Sequence, residues 1–206
     1  MMKINLEHIG RRFNREWIFR DVNYVFESGS SYAILGANGA GKSTILQVIS
    51  GSLSSSEGTI SYTREGVLLN PENVFEHLSM AAPYLELIEE LTLRELIDFH
   101  FRFKKYRSGL DRDLTIELMG LKRSEHKAIK YFSSGMKQRV KLALAFCSDT
   151  DMILLDEPAS NLDQQGLEWY LSLVEKYSAD RILIICSNQI QEYSFCKNQL
   201  NIADYK

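Results

Sequence analysis

Cysteine is scarce in this sequence, and its spacing excludes the common metal and disulfide frameworks. Only Cys147, Cys186 and Cys196 occur, and none of them forms a C-x-x-C pair. Zinc sites and disulfide scaffolds usually depend on such paired spacings. We therefore expect three reduced thiols in the core of a protein from a reducing compartment.

Long hydrophobic runs and an excess of positive charge are also missing. No run of eighteen apolar residues occurs, and the N-terminus lacks a signal-peptide pattern, so the sequence predicts no membrane-spanning segment. The formal net charge of −3 argues against nucleic acid as a partner. Hydrophobic residues make up 45% of the 206 residues, which is enough for a core. We expect a soluble intracellular protein with one large domain or a core carrying an inserted subdomain.

The strongest positive feature is the loop Gly36-Ala37-Asn38-Gly39-Ala40-Gly41-Lys42-Ser43. It matches G-x-x-x-x-G-K-[ST], in which backbone N–H groups surround phosphates, the lysine reaches the β and γ phosphates and the hydroxyl holds Mg²⁺. An apolar strand, Ser31–Leu35, precedes it and an amphipathic helix follows it. The alternative is a glycine-rich turn that matches by chance, on the order of one such match per hundred chains of this length. The predicted nucleotide-binding residues are Gly36, Asn38, Gly39, Ala40, Gly41, Lys42, Ser43 and Thr44.

Short apolar strands alternate with helices along much of the chain. Met152–Leu155 and Ile182–Cys186 are typical of buried strands, whereas Leu167–Tyr177 is typical of a crossover helix. This pattern predicts an α/β fold with a mostly parallel sheet. The first 63 residues are rich in strand patterns, and Met1–Ile9 alternates like an edge strand.

Residues 86–130 have a helical character instead. Thr92 and Glu95 form a capping-box pattern at the start of one predicted helix, whose apolar face continues to Phe103. A second helix is predicted over Asp113–Met119, closed by Gly120.

Two adjacent carboxylates follow the strand Met152–Leu155. Asp156 is in the place where a P-loop ATPase holds Mg²⁺ opposite Ser43, and Glu157 is in the place where a carboxylate accepts a proton from an attacking water. An acidic turn stopped by Pro158 is the alternative, and it leaves both functions of a P-loop ATPase unfilled.

Two further segments resemble one family. Phe132-Ser133-Ser134-Gly135-Met136-Lys137-Gln138-Arg139 resembles the L-S-G-G-Q-x-Q-R signature of ATP-binding-cassette proteins, and Ser160-Asn161-Leu162-Asp163 resembles their D-loop, S-A-L-D. The order of P-loop, helical insertion, signature, carboxylates and D-loop covers residues 36–163. GTPases and nucleotide kinases lack this order, and the short chain is similar to haem-exporter-type cassettes.

The resemblance implies a P-loop NTPase (RecA-like) core with a mostly parallel sheet, an N-terminal antiparallel β region and an inserted α-helical subdomain. Residues 1–80 and 131–206 are expected to form the ATP-binding core, and residues 81–130 the subdomain. It also implies a head-to-tail homodimer in which each ATP lies between one P-loop and the partner's signature. The residues expected to complete the nucleotide site are Ser133, Gly135, Asp163 and, stacked on adenine, Phe13, with Trp17 as the second choice.

The sequence departs from the family pattern at four places. Ser134 and Met136 are mild changes within the signature. The segment Ala81–Tyr84 lacks the glutamine expected to contact Mg²⁺ and water, and Asn188 replaces a histidine expected to touch the γ-phosphate. An amide donates a hydrogen bond but cannot carry charge or move a proton. Because a lost transition-state contact typically lowers a rate by ~10²–10³, we expect slow hydrolysis.

The resemblance implies an ATPase subunit of a membrane transporter, with ATP and Mg²⁺ as cofactors. Lys42, Glu157 and Asn188 are its expected catalytic residues, and Ser43 and Asp156 its metal ligands. A separate transmembrane permease would hold the subunit peripherally on the cytoplasmic face of the membrane. The alternative is a soluble regulatory or assembly ATPase of the same fold that acts without a permease. A small-molecule kinase is disfavoured by the signature and D-loop.

Overall fold

The computed structural model describes residues 1–206, which form nine strands, six α-helices and several short 3-10 turns. The strands are β1 Met2–Phe13, β2 Glu16–Glu27, β3 Ser30–Leu35, β4 Glu57–Arg64, β5 Val67–Leu68, β6 Leu78–Ala81, β7 Met152–Asp156, β8 Ile182–Cys186 and β9 Asn198–Asn201. The helices are α1 Lys42–Ile49, α2 Leu93–His100, α3 Arg112–Leu118, α4 Ser134–Cys147, α5 Gln164–Tyr177 and α6 Ile190–Tyr193. None of the helices is both long and apolar enough to cross a membrane.

The strands form two sheets. An antiparallel sheet has the order β2-β1-β4-β5, and a parallel sheet has the order β6-β7-β8-β3-β9. The carboxyl ends of β3, β7 and β8 therefore lie side by side, and these are the ends from which the P-loop, Asp156 and the loop after Cys186 emerge. Ligands of open parallel sheets bind at this edge.

The parallel sheet is buried on both faces, because alternate residues of each strand point to opposite sides. One face, with Leu154 and Ile184, packs with α1 against the antiparallel sheet. The other face, with Leu155 and Ile185, packs against α4 and α5. The three cysteines are buried and free, as predicted.

The observed architecture confirms the predicted fold class, with a mixed α/β core and an N-terminal antiparallel region. The expectation that the first segment is an edge strand is wrong, because β1 pairs with β2 on one side and β4 on the other. The two outer strands of the antiparallel sheet are β2 and β5, and β5 consists only of Val67 and Leu68.

The helices α2 and α3 share a separate apolar cluster with Met119, Ile129 and part of α4. The predicted capping box is present, because Thr92 accepts a hydrogen bond from the Glu95 N–H and Glu95 accepts one from the Thr92 N–H. The predicted extension of this helix to Phe103 is wrong. The chain tightens after His100 into turns, in which Phe103 donates to the His100 carbonyl, and the Phe101 ring stacks on Tyr106. The division into core (1–80, 131–206) and subdomain (81–130) stays a prediction.

Candidate functional site

The loop between β3 and α1 has the shape that binds phosphate. Gly36, Gly39 and Gly41 all have positive φ, and Gly41 begins α1 with φ 107°. A Cβ on Gly41 would lie 2.6 Å from Ile18 Cγ2, so both the backbone conformation and the space require glycine. The loop lines a cavity of about 230 Å³ together with Ile18 and Glu157. The N–H groups at the start of α1 have no partner within the helix, so they can donate hydrogen bonds to an anion that binds in this cavity.

Lys42 is buried at the floor of this loop. Its Nζ donates hydrogen bonds to the carbonyls of Gly36, at 2.7 Å, and Ala37, at 3.2 Å. These neutral acceptors keep the ammonium solvated without an ion pair. Phosphate oxygens carry charge and form stronger hydrogen bonds with an ammonium than carbonyls do. The ammonium is therefore ready to exchange these carbonyls for a phosphate.

Asp156 and Glu157 lie at the end of β7, opposite α1. Asp156 is 3% exposed, and its carboxylate lies near the Ser43 hydroxyl. Burial raises the pKa of Asp156, while Ser43 and Lys42 oppose this shift. Glu157 is half-buried, lines the P-loop cavity and has φ 46°, a strained value for a residue with a side chain.

The Ser43 and Asp156 pair suits Mg²⁺. The structure contains no cluster of three or more His, Cys, Asp or Glu residues able to hold a metal. Mg²⁺ takes one or two protein oxygens and completes its shell with phosphates and water. A hydroxyl and a carboxylate that lie near each other fit this requirement.

Asn188 is exposed and follows β8. Its Nδ2 donates a hydrogen bond to Asn38 Oδ1 of the P-loop at 2.7 Å. The contact connects the loop after β8 to the phosphate-binding loop, so this amide lies beside the P-loop. Its catalytic role stays a prediction.

The signature residues begin α4. Ser133 is the N-cap, and its hydroxyl accepts a hydrogen bond from the Met136 N–H at 3.2 Å. Gly135 approaches the next loop closely, because a Cβ there would lie 2.9 Å from the Asn161 carbonyl oxygen. Asp163 caps α5 by accepting from the Gly166 N–H at 2.7 Å. The capping roles of Ser133 and Asp163 leave the rest of each side chain exposed.

These residues line a second cavity of about 650 Å³, which includes Ser133, Gly135, Asn161, Asp163 and Trp169. No residue of this cavity belongs to the P-loop cavity. Within one chain, the structure therefore brings Lys42, Ser43, Asp156, Glu157 and Asn188 together, whereas Ser133 and Gly135 line the other cavity.

The two aromatic candidates for adenine stacking differ in their surroundings. Phe13 ends β1, is 47% exposed and has the Arg11 guanidinium 4.6 Å from its ring centroid. The Trp17 ring is partly buried and lies near two guanidinium groups, those of Arg20 at 4.7 Å and Arg12 at 5.5 Å. Phe13 is the more accessible ring. Neither ring lines the P-loop cavity.

The sequence reasoning missed Tyr84. In the pairing of β6 with β7, Ala81 lies opposite Leu155, so the chain leaves β6 beside Asp156. The Tyr84 hydroxyl lies near the Gln47 side chain and Asp156, and burial raises its pKa. Lys141 of α4 holds this turn by donating to the carbonyls of Ala82, at 3.1 Å, and Pro83, at 3.2 Å. The segment without a glutamine thus offers a tyrosine hydroxyl in this region.

Comparisons with known proteins place these observations in a family. The family described as ABC transporter matches residues 19–160. The chain is 27% identical over 196 residues to the uncharacterized ABC transporter ATP-binding protein YybJ of Bacillus subtilis (strain 168), covering 94% of this chain and 89% of that protein. It is 30% identical over 174 residues to ATP-binding cassette sub-family A member 7 of Mus musculus, covering 83% of this chain and 8% of the mouse protein.

The fold has close counterparts among solved structures. The post-hydrolysis dimer of the ATP-binding cassette MJ0796 bound to ADP and Pi superposes with a TM-score of 0.82 at 21% identity, covering 98% of this chain and 94% of that one. Together with the family match, this similarity confirms the resemblance drawn from the sequence. Several matched relatives are much longer proteins, since the chain spans 8% of the mouse protein's length.

Proposed function

Because this chain belongs to the ABC transporter family, as an ATP-binding-cassette ATPase, we propose that it is the ATP-hydrolysing subunit of an ABC-type membrane transporter. Two copies bind two ATP molecules head-to-tail, and hydrolysis reopens the pair. The proposal covers the partners, the metal and the role of each site residue.

The observation that carries the two-copy arrangement is the separation of the two cavities. The P-loop cavity contains the lysine and carboxylates, whereas the signature cavity contains Ser133, Gly135 and the start of α4. A helix start with an exposed hydroxyl, which can still donate a hydrogen bond, and N–H groups suits a phosphate. A second copy supplies that phosphate, because the chain's own P-loop does not line the signature cavity.

The site residues divide the chemistry of γ-phosphate transfer to water. Lys42 turns from its carbonyl partners to the β and γ phosphates, and Asn188 donates its amide hydrogen bond to the γ-phosphate. Glu157 accepts a proton from the attacking water, for which its position at the cavity wall is suited. Mg²⁺ held by Ser43 and Asp156 would supply charge neutralisation on the phosphates.

The surface around α2 supports a membrane partner. Exposed apolar side chains cluster beside the β6 turn and α2, where two adjoining cavities of about 410 and 250 Å³ share Glu86, Leu87, His100, Lys104 and Leu144. Phe103 is 72% exposed and stacks edge-on against Phe99. Contiguous exposed apolar surface marks interaction sites. A separate permease contacts this face and holds the subunit on the cytoplasmic side of the membrane.

The proposed chemistry is tested with Glu157→Gln. The amide cannot accept the proton, so ATP turnover should fall at least about 100-fold while ATP still binds, and an ATP-dependent dimer should appear by size-exclusion chromatography. Lys42→Ala should abolish ATP binding and the dimer together. Glu168→Gln, on the exposed face of α5, is the matched control and should behave as wild type. Turnover near wild type in Glu157→Gln would remove this assignment of the base.

The membrane role is tested by isolating the protein in mild detergent from its own cells. A co-purifying transmembrane protein that is lost with Phe103→Asp, but retained with the control Tyr131→Asp, supports the permease contact. Tyr131 is 62% exposed and lies outside both α2 cavities. An ATPase recovered without any membrane protein would favour the soluble regulatory alternative.

A further inference from the structure

In the loop that follows β7, one residue on each side of Ala159 has a left-handed backbone conformation. Glu157 has φ 46° and Asn161 has φ 63°, and both carry side chains. Left-handed conformations are uncommon for residues with a side chain, although asparagine adopts them more readily than most, and a glutamate keeps one only where surrounding contacts fix it. The contacts that hold residues 157–161 therefore decide where Glu157 and Asp163 point.

Three hydrogen bonds from separate elements hold this loop. The Glu157 N–H donates to the Cys186 carbonyl of β8 at 2.9 Å, and Gln138 Nε2 of α4 donates to the Pro158 carbonyl at 2.7 Å. The third lies between the two strained residues, where the Ala159 N–H donates to Glu192 Oε1 at 3.0 Å. Only this third contact uses an ionisable side chain.

Glu192 belongs to α6, the short helix that directly follows the loop carrying Asn188. Its own N–H donates to the Gln189 carbonyl at 2.9 Å, and the Ser187 hydroxyl lies beside its carboxylate. Its carbonyl accepts the Tyr170 hydroxyl at 3.0 Å, which fixes the residue against α5. One residue thus connects the loop of Glu157 with the loop of Asn188.

The burial of Glu192 lowers the stability of the fold. Glu192 is fully buried, and its Oε2 has no hydrogen-bond partner in the structure. Burial raises the pKa of the Glu192 carboxyl, and the nearby carboxylates of Glu157 and Asp156 act in the same direction. An unpaired buried polar oxygen destabilises the fold. Since this carboxylate lowers the stability of the fold, its role in placing the loop explains its presence better than a stabilising role does.

We propose that Glu192 is a positioning residue for ATP hydrolysis, which sets Glu157 and Asn188 relative to each other by holding the Ala159 N–H. The inference rests on the proposed function of Glu157 and Asn188. Glu192 does not touch the P-loop cavity, so it acts through the two loops.

Two substitutions of Glu192 separate the effect of side-chain length from the effect of charge. Glu192→Gln keeps the side-chain length and an oxygen acceptor for the Ala159 N–H, so turnover should stay within about threefold of wild type. Glu192→Asp keeps the charge but is one methylene shorter, so the hydrogen bond is lost and turnover should fall at least 10-fold. Neither change affects the P-loop, so the Kd for ATP should stay within twofold. Thr115→Val, which removes a buried hydrogen bond in α3, controls for general destabilisation and should leave turnover unchanged.

Amide hydrogen exchange of residues 157–163 measures how firmly Glu192 holds this loop, and it does not depend on ATP hydrolysis. Protection of these amides should fall in Glu192→Asp and be retained in Glu192→Gln. The inference is overturned if Glu192→Asp keeps wild-type protection, if it keeps wild-type turnover, or if Thr115→Val slows turnover equally. A wild-type protein that hydrolyses no ATP would refute the proposed function, while the exchange measurement would still decide on the anchor.

Discussion

Gly135→Ala offers a sharp test of how the signature is built. A Cβ at this position would lie 2.9 Å from the Asn161 carbonyl oxygen, whereas ordinary contacts begin at 3.4 Å. The two groups must therefore separate by about 0.5 Å. Asn161 already has φ 63° and its loop is held by hydrogen bonds from α4, α6 and β8. The loop therefore cannot shift easily to relieve the contact.

The magnitude follows from two opposing effects. Overpacking of a tight contact costs about 1–3 kcal/mol, whereas alanine gains at most about 1 kcal/mol over glycine in a helix. Because the helix gain stabilises the fold and offsets at most part of the strain, the free energy of unfolding should fall by no more than about 3 kcal/mol. If the strain falls on the catalytic arrangement, 1–3 kcal/mol corresponds to a turnover reduced by about 5- to 150-fold.

The assay is steady-state ATP turnover with a parallel measurement of ATP affinity. Affinity at the P-loop should be unchanged, since Gly135 does not line that cavity. Ser134→Ala is the matched control, because it places alanine at an exposed position in the same turn of α4. Turnover of Gly135→Ala within twofold of this control, or a parallel loss of ATP affinity, would refute the reasoning.

Three further predictions concern single side chains. His100 is hydrogen-bonded to the Ser148 hydroxyl at 2.9 Å, and burial, aided by Lys104, lowers its pKa from 6.5 to about 4. The unfolded state therefore takes up the proton first, so this stability is present above pH 6.5 and is lost as the pH falls towards 4, by about 2 kcal/mol at pH 5. His100→Gln should flatten the pH dependence of urea unfolding between pH 7 and 5, and an unchanged slope would contradict this account. Asn188→His should raise turnover by up to about 10²-fold if the neutral amide limits hydrolysis, and equal or lower turnover would show that it does not. Tyr84→Phe should lower turnover about 10-fold, the worth of one hydrogen bond, at constant ATP affinity, and a wild-type rate would leave its hydroxyl without a catalytic part.

Local motifs were predictable because their physics is local. The P-loop residues Gly36–Ser43, the Thr92 capping box and the apolar strands depend on neighbours within a few positions, and the structure has each of them where the sequence places it. The position of β1 was not predictable in this way. Alternation of side chains shows that one face is buried, but strand pairing on either side depends on β2 and β4.

Contacts between distant segments of the site were also not predictable from the sequence. Tyr84 approaches Asp156 only because β6 pairs with β7 in one register, and a shift of one residue would turn each side chain to the opposite face. The Glu192 contact to Ala159 spans 33 residues, and the Asn188 contact to Asn38 spans 150. No local pattern encodes such pairs.

The sequence by itself determined the fold class, the phosphate-binding loop and the family, because these follow from contiguous residues whose backbone geometry and side-chain chemistry act over one or two turns. Only the tertiary structure decided which groups share a site. Parallel pairing of β3, β7 and β8 gathers the P-loop, Asp156 and Asn188 at one edge, while α4 directs Ser133 and Gly135 to a different cavity. Burial and long-range packing, which no short segment contains, place Ser133 and Gly135 in a cavity apart from the P-loop and bring Glu192 to Ala159.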